Sequence, residues 1–168
     1  MAFFSPEFNG LHDLFVHELS DMYDAEKRIV EALPKMEEAA NAPELKRAFN
    51  DHLHQSEIHV SRLEKCFQQL GKEPEWETCK GMKVLISESA DCASAKGDPT
   101  TRDAALICAA QKMEHYEIAG YGTLRTFADL LGMHDLADML QQTLDEEGQT
   151  DKRLTQIAQT GVNQTAAH

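Results

Sequence analysis

Glu114 and Glu117 occupy consecutive positions of an apolar helical stripe, Ile107, Ala110, Glu114, Glu117, Tyr121 and Leu124, where a core-facing helix ordinarily carries leucine or isoleucine. Other stretches break in the same way. Glu26 interrupts Phe15, Leu19, Met22, Glu26, Ile29, Leu33, Met36, and Glu147 interrupts Leu136, Leu140, Thr143, Glu147, Thr150, Leu154, Ile157. In Phe49, Leu53, Ser56, Val60, Leu63, Phe67, Leu70 the polar member is Ser56, and His52, Gln55 and His59 line the adjacent edge of that face. Asp151 lies one turn beyond Glu147 on the same side. No Lys or Arg belongs to any of these stripes. Each buried unpaired charge costs several kcal/mol, and a domain is stable by only about 5–15 kcal/mol, so the carboxylates must be protonated, wetted by a channel, or bound to a cation. Oxygen donors joined by one or two imidazoles suit iron or manganese better than zinc.

Four long helical segments must position these groups, at about 9–40, 43–71, 101–131 and 135–160, with a shorter amphipathic one at about 82–95. Ser5-Pro6-Glu7 offers a cap, a first-turn proline and an acidic first turn, and Pro34 should kink the last turns of the first segment. Asp98-Pro99-Thr100-Thr101 supplies another cap, Gly71 and Gly132 are natural stops, and the tail to His168 reads as frayed. Segments joined by a few residues should form antiparallel hairpins, whereas the roughly thirty residues after Gly71, including a Trp76 loop, can cross the length of a bundle. Residues 1–168 therefore read as one all-α domain, a four-helix bundle of ferritin-like connectivity whose one long crossover carries the short extra helix. The polar breaks fall near the midpoints of their segments, and in an antiparallel bundle midpoints meet.

The chain has 168 residues, enough for a single core, and its 16 Lys+Arg against 29 Asp+Glu give a net charge of −13. Such a field repels phosphate backbones and anionic lipid, which excludes nucleic acid and membrane surfaces as expected partners. No apolar run approaches the roughly 20 residues of a membrane span, and no basic, then apolar, leader opens the chain, so the expected location is the cytoplasm. Cys66, Cys79, Cys92 and Cys108 contain no Cys-x-x-Cys and read as reduced thiols. The seven methionines read as core filling.

Blander readings stand beside the sharp ones. Glu114 and Glu117 would face solvent if the phase were wrong, Glu146 competes with Glu147 for the inward position, and Asp151 can face water. His52 is as consistent with a hydrogen-bonded structural histidine as with a ligand, and His59 and His115 fit solvated or outer positions. Tyr23, Tyr116 and Tyr121 serve either as plain core residues or as redox-active neighbours of a metal.

The segments Leu19-Ser20-Asp21-Met22-Tyr23-Asp24-Ala25-Glu26-Lys27, Asp51-His52-Leu53, Asp103-Ala104-Ala105-Leu106-Ile107, Glu114 through Leu124, and Leu144-Asp145-Glu146-Glu147 with Asp151 resemble the YciE/YciF-type ferritin-like proteins of bacteria. The resemblance covers nearly the whole chain and implies a stress-associated bundle that can dimerise, with a dimetal site and no settled activity. It implies Glu26, His52, Glu114, Glu117 and Glu147 as metal ligands, with Gln55 and Asp151 as adjustable members. Relatives often carry Glu where this chain has Gln55, and neither Glu57 nor Glu147 is followed three residues later by His, so the Glu-x-x-His signature of ferritin-like oxidases is missing. The expected function is a carboxylate-rich dinuclear centre, with iron ahead of manganese, that oxidises or sequesters iron or consumes peroxide during stress. In this scheme Glu26 and Glu147 are terminal ligands, Glu114 and Glu117 bridge or chelate, and His52 is the single nitrogen donor. The rival expectation is a metal-free helical homodimer acting as a scaffold or binding protein.

Overall fold

The computed structural model describes residues 7–74 and 78–168. Five main helices follow one another: α1 (Leu11–Ala39), α2 (Pro43–Gln69), α3 (Lys80–Ser94), α4 (Pro99–Leu130) and α5 (His134–Ile157). A wider turn at Ala158–Val162 then leads into a last short helix, α6 (Asn163–Ala166). No strand occurs among the described residues. The Ser5-Pro6 cap and Trp76 lie outside them.

The ends of the helices have local causes. Asp98 caps α4, its carboxylate accepting from the Thr101 amide at 2.6 Å and the Thr101 hydroxyl at 2.9 Å, with Pro99 pre-set for the first turn. Helices α2 and α4 both stop at a glycine in the left-handed region, Gly71 (φ 65°) and Gly132 (φ 75°). In each case the next amide folds back onto the helix, Lys72 N–H to the Phe67 carbonyl at 3.0 Å and Met133 N–H to the Ala128 carbonyl at 2.8 Å. Pro34 does not end α1. Its ring sits on the exposed face while Leu33 and Met36 are buried, and the helix runs on to Ala39.

Helices α1 and α2 form one antiparallel hairpin and α4 and α5 the other, and α3 lies in the long crossover, packed on α1 and α4. The pairing of α2 with α5 is antiparallel too, since Asp51 meets Arg153 at 2.7 Å and Arg62 meets Glu146 at 2.5 Å. One carboxylate ties the hairpins together at the end of α1. Asp103, fully buried in α4, accepts from the backbone amides of Asn41 at 2.7 Å and Ala42 at 2.8 Å, and Arg102 donates to the Ala39 carbonyl at 3.1 Å. Asp103→Ala strands two amides at the α1–α2 turn, so a loss of about 2–4 kcal/mol is expected in urea unfolding, with metal content unchanged. A loss under about 0.5 kcal/mol would show the turn to be held by other means.

The apolar interior is divided. One cluster, including Ile29, Leu33, Phe49, Met82, Ile107 and Leu154, fills the end near the α1–α2 turn, and another, including Phe15, Leu19, Phe67, Leu124 and Leu140, fills the opposite end. A polar layer separates them at mid-bundle. The C-terminal tail differs from expectation: it is helical to Ala166 rather than frayed, because Ile157, Ala158 and Val162 are buried against the first cluster. Among the described residues no helix is long and apolar enough to cross a membrane.

Candidate metal centre

Every helix of the bundle contributes to the polar layer. Glu26 comes from α1 between Met22 and Ile29, Glu114 and Glu117 from α4, Glu147 from α5, and His52, Ser56 and His59 from α2; none is more than 4% exposed. The apolar stripes read from the sequence on α1, α4 and α5 are the buried faces of those helices. On α2 the phase differs. Its buried line runs Leu45, Phe49, His52, Ser56, His59, Leu63 and Cys66, while Leu53, Val60 and Leu70 are only half-buried. The two histidines thus occupy the seam itself, two turns apart, instead of its edge.

Two groups of ligand atoms result, each with all its atoms within 4.8 Å of one another: His52, Glu114, Glu117 and Glu147 in one, and Glu26, His59 and Glu147 in the other. Glu147 belongs to both. His52 Nδ1 lies 2.9 Å from Glu114 Oε1 and its Nε2 lies 3.5 Å from Glu147 Oε2. His59 Nδ1 lies 2.8 Å from Glu147 Oε1 and 3.3 Å from Glu26 Oε1. On its far side, His59 Nε2 meets Glu146 Oε2 at 2.8 Å, and Arg62 forks onto both oxygens of Glu146 at 2.5 and 3.0 Å. The buried Tyr121 hydroxyl donates to Glu26 Oε1.

The expected set is therefore largely brought together, and His59 joins it. Gln55 and Asp151 stay outside: Gln55 Oε1 accepts from the Thr150 hydroxyl at 3.3 Å, and Asp151 accepts from Gln111 at 3.1 Å and faces the exposed His115 at 3.5 Å. Tyr23 and Tyr116 also turn elsewhere, to Glu64 at 3.0 Å and Asp21 at 2.7 Å. The sequence signal for His59 was its spacing, since 52, 56, 59 and 63 keep the 4-3-4 rhythm of a seam. Arg62 was missed because it stands off every stripe; it reaches the layer through Glu146 and donates as well to the buried Thr143 hydroxyl at 3.1 Å.

Charge in this layer is poorly compensated. Burial pushes the Glu117 carboxyl well above the usual carboxylate range, and the charges of Glu147, Glu26 and Glu114 push it further. Burial also raises Glu26 despite His59 and Tyr121, and raises Glu114 to about 7 despite His52. Glu147 is opposed by burial as well, but contact with His59 and His52 pulls it below its ordinary value. Burial disfavours the imidazolium of both histidines, yet the surrounding carboxylates raise His52 to about 9 and His59 to about 10.

Geometry says what the electrostatics leave unmet. Among the described residues the side-chain atoms buried without an aligned hydrogen bond are Glu26 Oε2, His52 Nε2, Ser56 Oγ, His59 Nδ1, Glu114 Oε2 and both oxygens of Glu117 and of Glu147. All belong to this one layer. Native interiors leave few polar atoms unpaired, and each one costs about 1–3 kcal/mol. Close approach without hydrogen-bond alignment is how lone pairs aimed at a common centre look. The four carboxylates and two imidazoles match the donor inventory of bundle-core dinuclear centres, with both imidazoles here on α2 rather than one on each of two helices. The residues therefore fit such a centre.

Comparison with known proteins agrees in sequence and in structure. The model of a domain of unknown function, DUF892, matches residues 10–167. The chain is 40% identical over 157 residues to protein YciF of Escherichia coli (strain K12), covering 93% of this chain and 95% of that protein. The crystal structure of that E. coli stress protein superposes with a TM-score of 0.89 over 93% of this chain and 99% of its own, at 39% identity. YcfI of Rhodopseudomonas palustris gives 0.86 over 91% and 98%, at 38% identity. A protein of Xanthomonas campestris shares the fold at 21% identity, with a TM-score of 0.72 over 89% and 92%. Agreement at this level over nearly the full length places the chain in the DUF892 family, among the YciF-type proteins.

Proposed function

We propose that the mid-bundle layer binds two divalent metal ions, iron ahead of manganese, and that the protein handles iron or reactive oxygen species under stress. The carrying observation is the convergence of orphaned buried carboxylate and imidazole atoms from all four bundle helices on one level. Formal charge supports it: two dications balance the four anions of Glu26, Glu114, Glu117 and Glu147 while both histidines stay neutral. In this reading Glu26, His59 and Glu147 would hold one ion, and His52, Glu114, Glu117 and the shared Glu147 would hold the other. When bound, iron supplies one-electron redox chemistry and Lewis acidity toward dioxygen or peroxide.

The protein's own part is to hold the donors and exclude water. Glu146, fixed by Arg62, accepts from His59 Nε2–H, so the lone pair of Nδ1 is directed into the layer. Tyr121 fixes Glu26 Oε1 and leaves Oε2 as the free donor. The apolar clusters above and below keep bulk solvent out. Stress is the context attached to E. coli YciF, and it extends to this chain as part of the proposal.

One observation favours the rival reading of a metal-free helical dimer acting as a scaffold. His52 and His59 can each pair with Glu147 and a second carboxylate with no metal present, although Glu117 then has no partner at all. Metal analysis separates the two. After purification without chelators and anaerobic ferrous loading, about two ions per chain are expected, falling to about one or fewer in Glu114→Ala. A content well below one per chain, unchanged by that substitution, would remove the metal reading.

A further inference from the structure

We propose that the Ser56 hydroxyl is the anchor for a small oxygen anion of the hydroperoxide class, held in the polar layer between the two groups of ligand atoms. The proposal rests on the metal reading above and adds to it the class of ligand that the layer takes from solution. Position carries it first. His52, Ser56 and His59 stand on one arc of α2 about 60° wide, with Ser56 one turn from each histidine. His52 belongs to one group of ligand atoms and His59 to the other, so Ser56 lies at the level between them.

The state of its hydroxyl carries the rest. A serine or threonine inside a helix commonly gives its hydroxyl to the carbonyl one turn back. Ser20, Thr126, Thr150, Thr160 and Thr165 do so here, each donating to the residue four positions earlier at 2.8–3.2 Å. Buried Ser20 shows that the same solution is open to a serine in the interior. Ser56 does not take it. Its side chain is fully buried, and its Oγ has no hydrogen-bond partner, the His52 carbonyl included. Alanine would fill nearly the same volume, favour the helix more and leave no orphaned hydroxyl, so the oxygen is retained against stability. A neutral hydroxyl adds little to a donor set of carboxylates and imidazoles, but it makes a strong hydrogen bond to an anionic oxygen. Ser56 is therefore a contact for the incoming ligand rather than for the ions.

The test uses azide as a stand-in for the hydroperoxide anion. Wild type and Ser56→Ala are loaded with two equivalents of ferrous ion, oxidised with hydrogen peroxide, assayed for metal and titrated with sodium azide, following the near-ultraviolet band of azide with ferric ion. Both proteins should carry about two ions per chain, while the azide dissociation constant rises roughly tenfold or more in Ser56→Ala. Without metal or azide the variant should melt about 2–4 °C above wild type, because an unpaired buried hydroxyl has been removed; a structural hydroxyl would shift it the other way. Equal azide affinities, no azide band in loaded wild type, loss of an ion in Ser56→Ala, or a lower metal-free midpoint would each overturn the proposal and leave the metal reading standing. Wild type that takes up less than one ion per chain would overturn both.

Discussion

Addition of ferrous or manganous ion to metal-stripped protein is expected to raise the thermal midpoint by roughly 10–20 °C, with chelator reversing it. A ligand that binds only the native state stabilises it by about 2.7 kcal/mol per site at a hundredfold excess over Kd. Two sites give about 5 kcal/mol, and each kcal/mol shifts the midpoint of a chain this size by about 2–4 °C. The source of the gain is specific. The metal-free layer leaves both oxygens of Glu117, both of Glu147 and one each of Glu26 and Glu114 without aligned partners, and cations would satisfy them together.

Glu147→Gln is the decisive variant because Glu147 alone belongs to both groups of ligand atoms. An amide in its place removes a shared anion, and the shift should fall to within about 3 °C of zero, since neither position then keeps its full ligand set. Asp151→Asn should leave the shift intact, because Asp151 is held by Gln111 outside the cluster. A midpoint in wild type that neither cation nor chelator moves, or a Glu147→Gln protein that responds like wild type, would favour the scaffold reading.

How far the sequence reached depended on how each side chain earns its place. On α1, α4 and α5 most members of the repeating stripe are apolar, so burial is dictated by the hydrophobic effect and the inward direction of Glu26, Glu114, Glu117 and Glu147 follows from the phase. The choice between Glu147 and Glu146, open in the sequence, is made by the packing: Glu147 is fully buried, and Glu146 stays half-buried against Arg62. On α2 two lines compete, and Leu53 and Val60 draw the apolar phase one residue away from the line that holds His52 and His59. What decides there is pairing across the bundle, with His52 against Glu114 and His59 against Glu26 and Glu147, and such pairing has no local signature. Asp103 was visible as part of a family-like segment, but its work at the α1–α2 turn depends on a contact between residues about sixty positions apart.

Metal-stripped protein should lose stability as pH rises from about 6.5 to about 10, and metal-loaded protein should not. With no cation present, His52 and His59 hold protons up to about 9 and 10, so the attraction of their imidazolium groups for Glu114, Glu147 and Glu26 is fully present below the unfolded histidine pKa near 6.5. It is lost as pH climbs through the folded values. Glu117, Glu26 and Glu114 act in the same direction at lower pH: their folded values lie above the ordinary one, so the native state binds more protons than the unfolded chain once pH exceeds about 4.5. Bound dications reverse the sign, because they require anionic carboxylates and neutral imidazoles and compete directly with these protons. Urea midpoints measured across pH 6–10, with and without two equivalents of manganous ion, should therefore diverge, the metal-free series falling and the loaded series level or rising. Parallel falling series would mean that the ions do not reach Glu26, Glu114, Glu117 and Glu147, whatever the bulk metal content. A metal-free series that does not fall would mean that the native layer holds no more protons than the unfolded chain across this range, with His52 and His59 neutral as structural imidazoles and the carboxyls ionised.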